Sequence, residues 1–211
     1  VIKFLKLLVA AAVFSAGGAM AENVQVEAKA TPEATAINAP DLGPHLGAEI
    51  PHDLSTVTSA GIETNFDQLV GENGLALFFV RSVDWCPYCR AQAVDVNARV
   101  QEFHDRGLNV AFISYDTPKK QAPFVEKWDF EPVLLSDESI EIINAFGLRN
   151  ESHDEGSRFY GIPHPVVFVV NTDKMVIAKL YEEDFMSNDK SYRERPAVDV
   201  ILEVADGAIG E

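Results

Sequence analysis

Only two of the 211 residues are cysteine, and they stand two residues apart as Cys86 and Cys89. A loop that short constrains the unfolded chain little, so a disulfide kept purely as a staple would add little stability. A zinc site would need four ligands, and the remaining candidates are scattered histidines and carboxylates. Basic residues are scarce as well: 17 Lys and Arg face 33 Asp and Glu, a formal net charge of −16. With no long basic run, nucleic acid and anionic membrane surfaces are disfavoured as partners. Long apolar stretches are missing too. The uncharged run at 7–20 falls short of the roughly 20 residues that a spanning helix needs. No internal repeat is visible. What is present is a hydrophobic fraction of 47%, enough for a real core. The length fits one domain with extensions.

The N-terminal residues have the order of a secretory signal peptide. Lys3 and Lys6 come first, then the uncharged run, then the small-x-small pattern Ala19-Met20-Ala21. Residues 1–21 are therefore expected to be removed on export, most simply to a bacterial periplasm, where disulfides persist. Residues 22–43, rich in Ala, Glu, Thr and Pro without apolar periodicity, read as a flexible linker. The folded domain is expected over 44–208.

Within that domain, strands and helices alternate. The apolar runs at 74–80, 109–115, 132–135, 166–170 and 176–181 have strand length, the first two fitting strands buried on both faces. After the cysteines, Ala93, Val96, Val100 and Phe103 recur at helical spacing, which predicts one helix of about five turns from Pro87 to Gly107. Further helices are expected from Thr117-Pro118 to about Trp128, after Ser136-Asp137 up to Gly147, and from Pro196 to about Ala205. Residues 150–160 are acidic and aperiodic, hence a loop. The pattern is that of an α/β domain with a mixed sheet.

The stretch Trp85-Cys86-Pro87-Tyr88-Cys89-Arg90 is where chemistry concentrates. A buried strand precedes it, and Pro87 suits the first helical position, so Cys86 sits at a helix N-terminus. Unpaired N–H groups and the positive end of the helix dipole favour a thiolate there, which predicts a lowered pKa for Cys86. Arg90 adds to that effect and Asp84 opposes it. Cys89, one turn on, is placed to attack a mixed disulfide at Cys86. Trp85 either shields the thiolate or packs on the sheet. Tyr88 is expected on the surface between the cysteines. His164 either contacts substrate and tunes Cys86 or is a strand-edge histidine bonded to backbone.

Taken together, this tryptophan and the two cysteines after a buried strand, with an X-Pro before a late apolar strand, resemble the thioredoxin-like superfamily. More narrowly they resemble its redoxin branch, the alkyl hydroperoxide reductase/thiol-specific antioxidant family. The matching segments are 47–51, 79–92, 134–147, 161–171 and 192–202. The resemblance implies a thioredoxin-like fold with a central mixed β-sheet flanked by helices. It also implies that Cys86 is the exposed attacking sulfur, that Cys89 is the buried resolving one, and that Pro165 is a cis-proline facing the pair. There are departures from the family pattern. Peroxiredoxins carry Thr where this chain has Val83 and Arg where it has Pro165, and both groups serve the peroxide. Thioredoxin-type acids are replaced by Val80 and Gln92, so the proton acceptor is missing. Arg193-Glu194-Arg195-Pro196 resembles a recurring C-terminal feature of the branch, and one of these arginines could substitute for the absent one; surface solvation is their default reading.

The favoured expectation is an exported thiol–disulfide oxidoreductase that exchanges its dithiol with protein or small-molecule disulfides and thiols, needing no cofactor and served by a redox partner of unknown identity. The alternative is a thiol peroxidase in which Cys86 is oxidised by a hydroperoxide and Cys89 closes on it. A redox-insensitive binding module on the same fold comes third.

Overall fold

The computed structural model describes residues 42–210; the expected signal peptide and nearly all of the expected linker lie outside the described residues. Seven strands form one sheet: β1 (Thr56–Thr58), β2 (Glu63–Thr64), β3 (Gly74–Phe79), β4 (Leu108–Ser114), β5 (Val133–Ser136), β6 (Val166–Val170) and β7 (Val176–Leu180). Their order is β2-β1-β5-β4-β3-β6-β7. The central pairs β3–β4 and β4–β5 are parallel, and every other pairing is antiparallel. The five helices are α1 (Pro87–Asn97), α2 (Val100–His104), α3 (Pro118–Trp128), α4 (Glu141–Ala145) and α5 (Val198–Ile209). This is the mixed sheet with flanking helices expected from the alternating pattern.

The continuous apolar runs of β3, β4 and β6 are explained by burial on both faces. From β3, Ala76 and Phe78 point into a core shared with Ala93, Val96, Phe103 and Ile201 of α1, α2 and α5. Leu75, Leu77 and Phe79 point into the opposite core, with Phe66, Ile143, Phe146 and Phe168. Phe78 stacks on Phe112 of β4, their rings 4.4 Å apart and 8° from parallel, so the two central strands are joined by side chains as well as by hydrogen bonds. Gly74 opens β3 with φ +141°, and a Cβ there would lie 2.0 Å from the Val170 carbonyl oxygen. Only glycine allows β6 to approach so closely.

The long helix expected after the cysteines is two helices. Arg99 leaves the helical region (φ −126°, ψ 17°) and separates α1 from α2. The cause is tertiary. The Asn97 amide donates to the carbonyls of Trp128 and Asp129, and its oxygen accepts from the Glu131 N–H at 2.8 Å, so the end of α1 is docked on the α3–β5 connection. Asp137 does accept from the Ile142 and Ile143 N–H groups, but α4 starts only at Glu141, with Ile140 in the left-handed region (φ 56°) at its N-cap instead of on its apolar face. Among the described residues, no helix is long and apolar enough to cross a membrane.

Candidate active site

Cys86 ends the turn after β3 and caps α1. Its backbone is extended, its sulfur accepts from the Cys89 N–H at 3.4 Å, and Pro87 fills the first helical position. The turn itself is fixed by a buried acid. Asp116, 1% exposed and two residues past β4, accepts from the Ser82 hydroxyl (2.8 Å), the Val83 N–H (2.8 Å) and the Ser114 hydroxyl (2.9 Å). The Ser82 oxygen in turn accepts from the Asp84 and Trp85 N–H groups. Every link from residue 82 to residue 85 is thus tied to the end of the neighbouring parallel strand. Burial pushes the Asp116 carboxyl above its usual pKa, while these hydrogen bonds pull it back.

The two cysteines are reduced and lie in the helix-covered core, 1% and 0% exposed. The expected exposed attacking sulfur is therefore recessed, although Cys86 still forms part of the wall of an open cleft. The thiols are tightly coupled. The Cys86 thiol is raised by its hydrogen bond to Cys89, by burial and by the charge on Cys89. Burial pushes the Cys89 thiol up too, but the hydrogen bond from Cys86 and the Arg195 guanidinium outweigh it and bring Cys89 down to about 6. The lowering expected for Cys86 is therefore not found there: its thiol is raised, and the lowered member of the pair is Cys89. The physical reasons are the hydrogen bond with Cys86 and then Arg195, whose Nη2 donates to Cys89 Sγ at 3.6 Å. Arg90 plays no comparable part; its backbone N–H closes the first helical turn on the Cys86 carbonyl.

Trp85 is packed as well as polar-bonded. Its indole N–H donates to the Tyr115 hydroxyl (3.1 Å), which donates to the Arg158 carbonyl (2.9 Å), and its ring lies 5.0 Å from Phe159. The 150–160 loop is thereby held over one side of the cysteines. Tyr88 is 38% exposed, edge-on to Tyr192. The resulting cleft has a volume of about 940 Å³ and includes Arg81, Trp85, Cys86, His164, Pro165 and Tyr192 in its lining.

His164 and Pro165 reach the site, but not in the expected form. Among the described residues no peptide bond is cis. Pro163 bridges Arg149, the His164 N–H donates to the Leu148 carbonyl at 2.7 Å, and β6 begins at Val166, so a trans bond simply continues an extended path. The His164 ring packs edge-on against Phe185. Burial, with help from the Arg81 charge, holds its pKa down to about 4, so the imidazole is neutral at pH 7.

With this geometry in view, comparison with known proteins is informative. Residues 46–179 match the AhpC/TSA family. The chain belongs to that family. It is 28% identical to peroxiredoxin Bcp of Escherichia coli over 132 residues, 63% of this chain and 83% of that protein. Among solved structures, peroxiredoxin Q of Xanthomonas campestris superposes with a TM-score of 0.62 at 23% identity, over 78% of this chain and 98% of that one. Peroxidoxin BcpB of Mycobacterium tuberculosis gives 0.59 at 21% identity, over 79% and 95%. These two likenesses establish the thioredoxin-like redoxin fold. As a member of the AhpC/TSA family, the chain is an antioxidant thiol oxidoreductase.

Of the residues singled out in the sequence, the structure brings Trp85, Cys86, Pro87, Tyr88, His164 and Pro165 to one cleft. Cys89 and Arg90 are not among the residues that line it. Sequence reasoning did not find Arg81, Ser82, Asp116 or Tyr192. Arg81 carried a signal, being a charge placed directly after an all-apolar strand. Asp116 had none, because the turn residues it holds, Ser82 and Val83, stand 34 and 33 residues away.

Proposed function

We propose that the protein is a thiol peroxidase, with Cys86 as the peroxidatic and Cys89 as the resolving cysteine. The observation that carries this reading is the position of Cys86, 1% exposed and recessed in the wall of the open cleft. A small hydroperoxide fits such a recess, whereas the disulfide of a folded protein would have to enter it. The similarity to peroxiredoxin Bcp supports the same choice, and it reverses the order in which the two readings stood on sequence alone.

In the first step the Cys86 sulfur attacks the terminal oxygen of ROOH and the O–O bond breaks; the sulfur is oxidised to the sulfenic acid, and the Cys86 thiol proton passes to the departing alkoxide, which leaves as ROH. In the second step the Cys89 sulfur displaces hydroxide from the Cys86 sulfenic acid, giving the disulfide and water. An external dithiol then reduces that disulfide by exchange. Export to the periplasm is part of the same proposal and rests on the signal-like order of residues 1–21.

The test compares hydrogen peroxide consumption with insulin-disulfide reduction for the parent, Cys86→Ser and Cys89→Ser. Peroxide consumption is expected to vanish in Cys86→Ser. In Cys89→Ser a single turnover is expected to leave a sulfenic acid at Cys86 that dimedone traps. Efficient insulin reduction without peroxide consumption would restore the disulfide-exchange reading.

A further inference from the structure

Arg81 is a cation in a place that cations avoid. It is 9% exposed, its Nε is buried without a hydrogen-bond partner, and among the described residues no carboxylate forms an ion pair with it. Its neighbours are rings: the guanidinium lies 3.9 Å from the Tyr192 centroid and 5.2 Å from that of Trp85, and after Arg193 it helps to lower the pKa of the Tyr192 phenol. Stacking on two aromatic faces orients the guanidinium and recovers part of its lost hydration. It does not supply a counter-charge, and an unpaired buried ion is costly. In a chain with 33 acidic and 17 basic residues, the lack of a carboxylate partner here is a departure from the surroundings.

The rest of the cleft points the same way. Arg149 and Arg158 also line it, and the acids in the lining are Glu151, which is 3.2 Å from Arg149, and Asp189, which acts on Arg193. The cleft therefore has a net positive lining in a strongly acidic protein. Its apolar lining includes Trp85, Phe159 and Phe185, and Trp85 is the one that faces Arg81. A ligand that matches both features has an anionic end and an apolar body.

We propose that Arg81 is an anchor for a carboxylate, and that the substrate taken beside Cys86 is an organic hydroperoxide carrying one. This rests on the peroxidase reading above and names the substrate class for that site. The carboxylate pairs with the Arg81 guanidinium between Tyr192 and Trp85, the apolar body lies along the aromatic wall, and the hydroperoxide is directed to Cys86. The carboxylate takes no part in oxygen transfer; the O–O bond breaks and Cys86 is oxidised as described.

The experiment uses two matched probes, cumene hydroperoxide and its para-carboxylate, with the parent protein, Arg81→Met and Arg81→Lys. A redox-inert probe, 4-isopropylbenzoate, is titrated into the same three proteins by calorimetry. One charge-assisted contact of this kind corresponds to a preference of about 10–100-fold in kcat/KM for the carboxylate probe. In Arg81→Met the preference is expected to fall to about 1, and 4-isopropylbenzoate to bind weaker by a similar factor. Arg81→Lys should fall between, since a point charge lacks the guanidinium fork. A parent protein without preference, or a preference and benzoate affinity that survive Arg81→Met, would overturn the anchor. If neither hydroperoxide is consumed, the peroxidase reading fails, and benzoate binding alone then decides whether Arg81 holds a carboxylate. Arg81→Lys, which keeps the charge, guards against misreading a misfolded Arg81→Met.

Discussion

At the scale of single residues, the acidity of the dithiol rests on a guanidinium 106 positions away in the chain. Arg195 touches Cys89 Sγ, and with the hydrogen bond from Cys86 it overrides a burial effect of opposite sign. A thiol this buried would otherwise ionise above the ordinary value of about 8.5. Replacing Arg195 with Met should therefore move the thiolate titration of the reduced protein, followed by absorbance at 240 nm, from near 6 to higher pH by at least about 1. Arg195→Lys should recover part of the change. Closure of the disulfide after oxidation should follow the same titration, because the Cys89 thiolate is the nucleophile that attacks the Cys86 sulfenic acid. If Arg195→Met unfolds nothing and leaves the titration in place, the contact is packing and no more.

At the scale of elements, the turn before α1 and the 150–160 loop form one assembly around Trp85. Asp116 and Ser82 hold the turn to β4, and Tyr115 joins Trp85 to the loop by accepting from one and donating to the other. Tyr115→Phe removes both of these bonds and little volume. Only the bond to the Arg158 carbonyl reaches the loop; one such bond is worth about 0.5–1.5 kcal/mol net, so amide exchange across 150–160 is expected to accelerate about 2–10-fold, while the β3 and β4 amides keep their protection. Uniform acceleration across the sheet would mean that the loop is not a separable unit. Here the sequence was readable to an uneven degree. Every main strand and α3, α4 and α5 could be placed from periodicity and caps, because buried strands and capped helices are written locally. The division between α1 and α2 could not. Residues 87–107 carry an unbroken helical pattern, and the break comes from Asn97 reaching the backbone of 128–131. The 150–160 loop was recognisable as a loop, but its docking on Trp85 depends on Tyr115, which reads locally as the end of a strand.

At the scale of the whole molecule, the same distinction separates what was visible in the site from what was not. Cys86, Cys89 and their helix start are contiguous and were plain; Arg81, Asp116, Tyr192 and Arg195 meet them only through the fold. The burial that gathers these groups also couples the fold to pH, with contributions of opposite sign. His164 has a native pKa of about 4 against roughly 6.5 for a free imidazole. Between those values the unfolded chain binds a proton that the native state refuses, so this contribution to stability is present above about 6.5 and is lost as the pH falls toward 4. Asp116 and Asp137 act the other way: burial raises both carboxyls, the native state binds their protons more readily, and their contribution grows as the pH falls through their native pKa values. The net acid profile is thus a difference, and one substitution isolates one side of it. His164→Gln cannot be protonated and leaves the two aspartates in place. Measured by urea midpoints from pH 7.5 to pH 4.5, the parent should lose stability relative to His164→Gln as the pH drops below about 6.5. Two curves that stay parallel over that range would show that the His164 ring is protonated as easily in the folded protein as in the unfolded chain, and that neither burial nor the Arg81 charge bears on it.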